Sequence, residues 1–185
     1  KRVVRAVAKQ HGVYATFMAN PMAGQPGSAM HIHQSVVDAE TGKNLFSNAN
    51  GKDSAMFRSY IAGLVKFMPQ ISPLWAPNVN SFRRMRPDGA APINVQWGED
   101  NRSCGFRVPI SDKHNRRVEN RLPGADSNPY LAMAASLVCG YIGMVDRMVP
   151  AKAITGSAYN RARTLPRTLE AALDRFSACK PVRNL

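Results

Sequence analysis

The spacing of apolar residues changes along the chain, from helical to strand-like and back. Val3, Val4 and Val7 recur at helical spacing ahead of Gly12, which predicts a short amphipathic helix over the opening residues. Val13 to Met18, "VYATFM", is β-branched and aromatic and predicts a strand, and Asn20-Pro21 through Gly27 reads as a loop. In "GSAMHIHQS", Gly27 to Ser35, Met30 and Ile32 alternate with His31, His33 and Ser35, so a strand would carry those three polar groups on one face. "ETGKN", Glu40 to Asn44, predicts the turn of a hairpin. Asp53 or Ser54 then caps a helix whose Phe57, Ile61, Leu64, Val65 and Met68 recur at three and four and face inward, until Pro69 closes it.

From Asn78 to Pro123 the texture turns to short polar segments broken by Pro87, Pro92 and Pro109, which predicts short strands and loops. Ser127-Asn128-Pro129 supplies a cap followed by a first-turn proline, starting an apolar helix that should run to about Val149. Leu165 to Phe176, "LPRTLEAALDRF", reads as a further amphipathic helix, and the closing "PVRNL" carries no stop signal. Helices and strands occur without strict alternation, so α+β is expected rather than a doubly wound parallel sheet.

Composition narrows the picture. With 185 residues, 44% of them hydrophobic, the chain is long enough for one domain with a core. The formal charge of +13, from 25 Lys+Arg against 12 Asp+Glu, favours anionic partners without choosing among nucleic acid, acidic lipid and phosphorylated small molecules. Cys104, Cys139 and Cys179 form no CxxC pair, which fits a reducing cytoplasm rather than a disulfide framework or a zinc knuckle. The apolar run Tyr130 to Val145 falls short of the ~20 residues that cross a bilayer and is interrupted by Ser136, Gly140 and Gly143, so a buried helix is expected and no membrane span. The Arg-rich opening reads as an ordinary helix and not as a targeting segment.

Candidate chemistry concentrates in the paired histidines and in "NSFRRMRPDGAAP", "DNRSCGFRVP" and "NRRVENR". On a strand, Arg117, Glu119 and Arg121 would set a carboxylate between two guanidiniums on one face. Two readings stay open: a structural ion pair, or a carboxylate offering oxygen to a hard cation while the arginines hold phosphate or carboxylate oxygens. The histidines likewise fit a metal, a phosphate or a half-buried sheet. Tracking a nucleic-acid backbone is disfavoured, because aromatic platforms are missing and Glu119 and Asp100 would repel phosphates.

"FMANPMAGQPGSAMHIHQS", "NSFRRMRP", "DNRSCGFRVP", "RRVENRLPGADSNPYLAMAA" and "LPRTLEAAL", in that order and spacing, resemble the glutamine synthetase family over nearly the whole chain. "AAPINVQWGEDNRS" is most similar to its γ-glutamylpolyamine, or γ-glutamylputrescine, synthetase branch. The resemblance implies an α+β catalytic domain with a curved antiparallel sheet, helices outside it, and two stacked rings of subunits. It implies His31 and Glu119 as ligands of one active-site Mg2+ or Mn2+, and His33 and Ser35 as ATP contacts. Gly27 would let the backbone approach the amino acid substrate. Arg84 and Arg121 would bind glutamate and its developing acyl phosphate, while Arg102, Arg107 and Arg117 would face the nucleotide. Arg84 and Arg102 would be the catalytic arginines.

Departures from the family pattern refine this. Ala90 stands where ammonia-using members place a flap glutamate, and Pro26 and Asn20 replace the usual asparagine and lysine near the glycine-rich motif. Loss of the flap carboxylate favours an organic amine over ammonium. Residues 1–185 would form part of a catalytic domain, less than half of a family member, with an N-terminal domain, early catalytic strands and a C-terminal helical stretch lying outside them. The expected activity is ATP-dependent ligation of glutamate to an amine, in the cytoplasm, with no nucleic-acid or membrane partner. Glutamine formation from ammonia is one alternative, and a family-derived module without catalysis is another.

Overall fold

The computed structural model describes residues 1–87 and 89–183. Asp88 of the flap segment and the closing Asn184 and Leu185 of "PVRNL" therefore lie outside the described residues. The elements run α1 (Arg2–Gln10), β1 (Ile32–Gln34), α2 (Ala55–Phe67), α3 (Val79–Arg84), β2 (Trp97–Glu99), β3 (Phe106–Val108), β4 (Val118–Asn120), α4 (Pro129–Val145), α5 (Leu169–Ala178) and α6 (Lys180–Arg183). The expected α+β class holds.

The four strands form one sheet in the order β1-β4-β3-β2. β1 with β4 and β4 with β3 are antiparallel, but β2 and β3 pair in parallel, a departure from the wholly antiparallel sheet expected. Parallel neighbours ordinarily need a long crossover. Here each strand has only 3 residues, roughly 10 Å of rise, so the loop 100–105 can carry the chain back. Asp100 starts that reversal with φ 45° and donates its N–H to the Val108 carbonyl at 2.9 Å.

One sheet face is core. Ile32, Gln34, Phe106, Val108, Val118 and Asn120 are buried on it, and its apolar members share one core cluster with residues of α2 and α4. Ser54 caps α2, accepting from the Phe57 N–H at 3.1 Å, and the predicted Phe57, Ile61, Leu64 and Met68 are all fully buried. Phe46 from the hairpin packs on Phe57 and Tyr60, with ring centroids 4.6 and 5.0 Å apart. That hairpin forms as predicted, with Val37 bridged to Asn44.

α2 and α4 meet backbone to backbone. A Cβ on Gly63 would fall 2.0 Å from the Cys139 carbonyl oxygen, and one on Gly140 would fall 2.1 Å from the Tyr60 ring. The glycines that interrupt the apolar run are thus the residues that permit the packing. The run itself is not buried all round, contrary to expectation: only Ala132, Ala135, Ser136, Cys139, Gly140 and Gly143 are buried, while Tyr130, Leu137, Tyr141 and Val145 point outward. Small residues alone fit against α2, which turns the large ones away from it. α4 also stops at Val145 rather than Val149, because Arg147 adopts φ 50° and the Met148 N–H donates to the Gly143 carbonyl at 3.0 Å.

A buried polar chain ties helix to sheet. Ser136 donates to Gln34 Oε1 at 2.5 Å and accepts from Asn120 Nδ2 at 2.9 Å, so β1, β4 and α4 share one hydroxyl.

Three further differences have local causes. Val13–Met18 forms no strand, since none of the described strands pairs with it. α3 occupies a segment read as strand and loop: the Asn78 N–H donates to Ser81 Oγ at 2.9 Å, and that hydroxyl donates to Asp126 at 2.6 Å. α5 starts at Leu169 rather than Leu165, because Thr168 caps it by accepting from the Ala171 N–H at 3.2 Å. No helix among the described residues is long and apolar enough to cross a membrane.

The α2–α4 contact makes a clear prediction. Alanine is intrinsically better than glycine in a helix by about 1 kcal/mol. Gly63→Ala should nonetheless lower stability by about 1–3 kcal/mol through overpacking. Denaturant unfolding of the whole protein checks this; a more stable variant would show that the helices can separate at no cost.

Candidate active site

The opposite face of the sheet carries the charge. Register places His33 beside Glu119 and Glu119 beside Arg107, so three side chains from β1, β4 and β3 form one row. His31, His33 and Ser35 are all on the exposed side while Ile32 and Gln34 are buried, as the alternation predicts. His31 lies one residue before β1, and Arg121 one residue after β4.

Glu119 is the centre of the row and is 2% exposed. Its Oε2 accepts from Arg107 Nη1 at 2.6 Å, its Oε1 accepts from Arg121 Nη1 at 2.7 Å, and His31 Nδ1 lies 3.0 Å from the same Oε1. Burial by itself would push the carboxyl up, but the Arg107 hydrogen bond and the Arg121 charge outweigh it and hold Glu119 below its ordinary value. The carboxylate therefore stays ionised at neutral pH.

His31 is shifted the other way. Burial, then the Arg121 charge, lowers it to about 4, with Glu119 only partly offsetting them. A neutral imidazole has two tautomers: with a proton on Nδ1 it donates to Glu119, and with the proton on Nε2 the Nδ1 lone pair faces the same space as Oε1.

The remaining arginines divide. Arg117 does not reach Glu119; its Nε donates to His33 Nδ1 at 3.3 Å and its Nη1 to the Asn115 carbonyl at 3.1 Å. Arg84 is buried beneath the row, donating to the Leu122 carbonyl at 2.8 Å and the Arg121 carbonyl at 3.1 Å, and burial brings its guanidinium down to about 10. Arg102 is exposed in the loop 100–105, on a cleft of about 650 Å3 that it shares with Asp100, Ser103 and the segment 153–157. Arg121 Nε is buried with no hydrogen-bond partner among the described residues.

Gly27 is required by packing: a Cβ there would lie 2.3 Å from the Ala19 carbonyl and 2.7 Å from Arg84 Cγ. Asn20 fastens the same loop, donating from Nδ2 to the Gln25 carbonyl at 3.1 Å. The structure thus gathers His31, His33, Glu119, Arg107, Arg117 and Arg121, seats Arg84 below them and puts Arg102 on an adjoining cleft. Sequence reasoning named Asp100 only as a charge that would repel phosphates and missed its grip on Arg107. A glycine-like backbone angle on an aspartate is not visible in residue spacing.

Three kinds of comparison bear on this arrangement. Residues 1–185 match the family model for glutamine synthetase, catalytic domain. Gamma-glutamylputrescine synthetase PuuA of Escherichia coli (strain K12) is 45% identical over 150 residues, covering 81% of this chain and 31% of that protein. Glutamate–isopropylamine ligase of a Pseudomonas species is 39% identical over 176 residues, covering 94% of this chain and 38% of that protein. Glutamine synthetase of Pyrococcus abyssi is 36% identical over 192 residues, covering 99% of this chain and 43% of that protein. The solved structure of ligand-free GmaS superimposes with a TM-score of 0.88 at 31% identity, covering 99% of this chain and 43% of that one. The chain spans less than half the length of each.

The shifted imidazole generates a pH prediction. Unfolded, His31 takes up its proton near 6.5; folded, it does so only near 4, so the unfolded state binds more protons between those values. Stability should fall as pH drops through that window, whereas Glu119 withdraws its contribution only below the ordinary 4.5. His31→Gln should flatten the decline of melting temperature above pH 4.5. An unchanged slope would mean that His31 titrates normally.

Proposed function

The chain belongs to the glutamine synthetase family, and from that premise we propose that the protein carrying it is an ATP-dependent ligase joining the γ-carboxylate of glutamate to an amine. The observation that carries this reading is the ionised Glu119 held between Arg107 and Arg121 beside a neutral His31, all on one exposed sheet face. A carboxylate is a poor acyl donor at neutral pH. Phosphoryl transfer from ATP turns it into an acyl phosphate, which the amine displaces. Both steps concentrate negative charge, and fixed guanidiniums stabilise that charge without reorganising.

The donor set fits a divalent cation in part. Adjacent ligands of an octahedral Mg2+ at about 2.1 Å stand about 3 Å apart. His31 Nδ1 and Glu119 Oε1 are separated by 3.0 Å. These two residues are the proposed ligands for Mg2+ or Mn2+, and among the described residues no group of three or more His, Cys, Asp and Glu side chains adds to them. Such a cation, when bound, screens phosphate charge and favours in-line transfer. His33, Ser35 and Arg117 on the same face are the proposed nucleotide contacts, with Arg102 and Arg107 toward its phosphates. Arg121, whose buried Nε has no hydrogen-bond partner among the described residues, is proposed to receive the carboxylate and the acyl phosphate. Arg84 contributes by bracing the carbonyls of Arg121 and Leu122, and Gly27 by keeping that loop tight against it.

An organic amine is the proposed acceptor. Ala90 is exposed at the flap and brings no carboxylate to hold a small ammonium ion. Putrescine and isopropylamine, named for two of the relatives, are consistent with such an opening. A homo-oligomer of stacked rings is the proposed assembly.

Two experiments test this reading. The whole protein, offered glutamate and ATP with ammonium, putrescine or isopropylamine, should turn over fastest with an organic amine; fastest turnover with ammonium would reassign it to glutamine formation. His31→Gln and Glu119→Gln should each abolish amine-dependent ATP turnover. Glu119→Ala should in addition cost about 3 kcal/mol of stability, because it strands Arg121 and leaves Arg107 with Asp100 alone. Full turnover by either glutamine variant at saturating magnesium would remove that residue from the metal site.

A further inference from the structure

Asp100 links the carboxylate row to the adjoining cleft. It lines the cleft with Arg102 and Ser103, and its Oδ1 accepts from Arg107 Nε at 3.0 Å and from Arg107 Nη2 as well. Arg107 then has one arm left for the sheet, Nη1, which it directs to Glu119 Oε2 at 2.6 Å. A guanidinium presents its donors along fixed edges, so holding the Nε–Nη2 edge determines where Nη1 points.

The backbone at Asp100 is built for this grip. With φ 45° it occupies the left-handed region, which aspartate tolerates better than most non-glycine residues. Its N–H is anchored to the Val108 carbonyl at 2.9 Å, one residue from Arg107 on the neighbouring strand. The carboxylate is therefore placed by the same turn that reverses the chain between β2 and β3, and its position beside Arg107 does not depend on a flexible side chain finding its partner.

We infer that Asp100 is a positioning residue for Arg107, orienting the guanidinium that faces nucleotide phosphates. This rests on the ligase reading above. Glu119 alone meets one arm of Arg107 and leaves the plane free to swing. Asp100 adds the second point that defines the plane. It also balances the Arg107 charge, so that Glu119 need not neutralise two guanidiniums unaided.

A double-mutant cycle on the whole protein tests this, read by calorimetric binding of a non-hydrolysable ATP analogue with magnesium and by steady-state kinetics. Asp100→Asn keeps a residue that tolerates the left-handed angle and loses the charge. It should weaken analogue binding and raise the KM for ATP by about tenfold, the worth of one charged hydrogen bond. The KM for glutamate and the melting temperature should stay unchanged. In an Arg107→Lys background, which offers no edge to grip, Asp100→Asn should add nothing further. Additive losses would overturn the inference, as would an unchanged KM for ATP in the single variant. Asp100→Gly, which satisfies the backbone, supplies a structural readout: its crystal structure should show Arg107 Nη1 away from Glu119, and an undisturbed pair would overturn the role. A whole protein that binds no analogue at all would fail the ligase reading itself. Failure of the Asp100 role alone requires normal binding and turnover in the unmutated protein.

Discussion

A buried carboxylate in the middle of a sheet has to be surrounded by positive charge or give up its own. Glu119 keeps its charge because Arg107 and Arg121 each supply a hydrogen bond from opposite sides. Its nearest neighbours are arranged around that requirement. Arg107 is held from behind by Asp100, and Arg121 has its carbonyl braced by Arg84. His31, pressed against the same carboxylate with a guanidinium close by, remains neutral. Remove the carboxylate and Arg121 loses its counter-charge, while Arg107 keeps only Asp100.

Such a cluster needs a rigid platform, and strands of 3 residues do not supply much ladder. Rigidity comes from the other face. Ser136 joins Gln34 and Asn120, the inward neighbours of His33 and Glu119, so the hydroxyl of a core helix ties together the two strands that carry the outward site. The helix can approach so closely because Gly63, Gly140 and Gly143 remove the side chains between α2 and α4. Packing of small residues inside and precise placement of charge outside are thus two sides of one arrangement.

The excess of positive charge, +13, has a distinct meaning once the arginines are located. Arg84, Arg107, Arg116 and Arg121 are largely buried and directed at carbonyls or carboxylates, so the surplus is not simply a solvated basic surface. Polyphosphate bound at such a site would add negative charge opposite to this surplus. Large apolar side chains are also left outward on α1 and α4, among them Val3, Val4, Leu137 and Tyr141.

Much of this was legible from residue order alone. Period-two alternation put His31, His33 and Ser35 on one face, because strand geometry leaves a side chain no other choice. Period-three-and-four spacing placed Phe57, Ile61, Leu64 and Met68 in the core, and Ser54 and Asn128 declared their helix starts through local hydrogen bonds. These are short-range consequences of backbone geometry, and neighbours in sequence suffice to decide them. Partnership across the fold is different. That Arg121 and Arg107 hold Glu119 while Arg117 turns to His33, that Asp100 bends into a left-handed angle to grip Arg107, and that β2 runs parallel to β3 all depend on which strands lie side by side. Register between strands distant in sequence is settled by packing of the opposite face, where Ser136 meets Gln34 and Asn120, and only the folded chain brings those residues into contact.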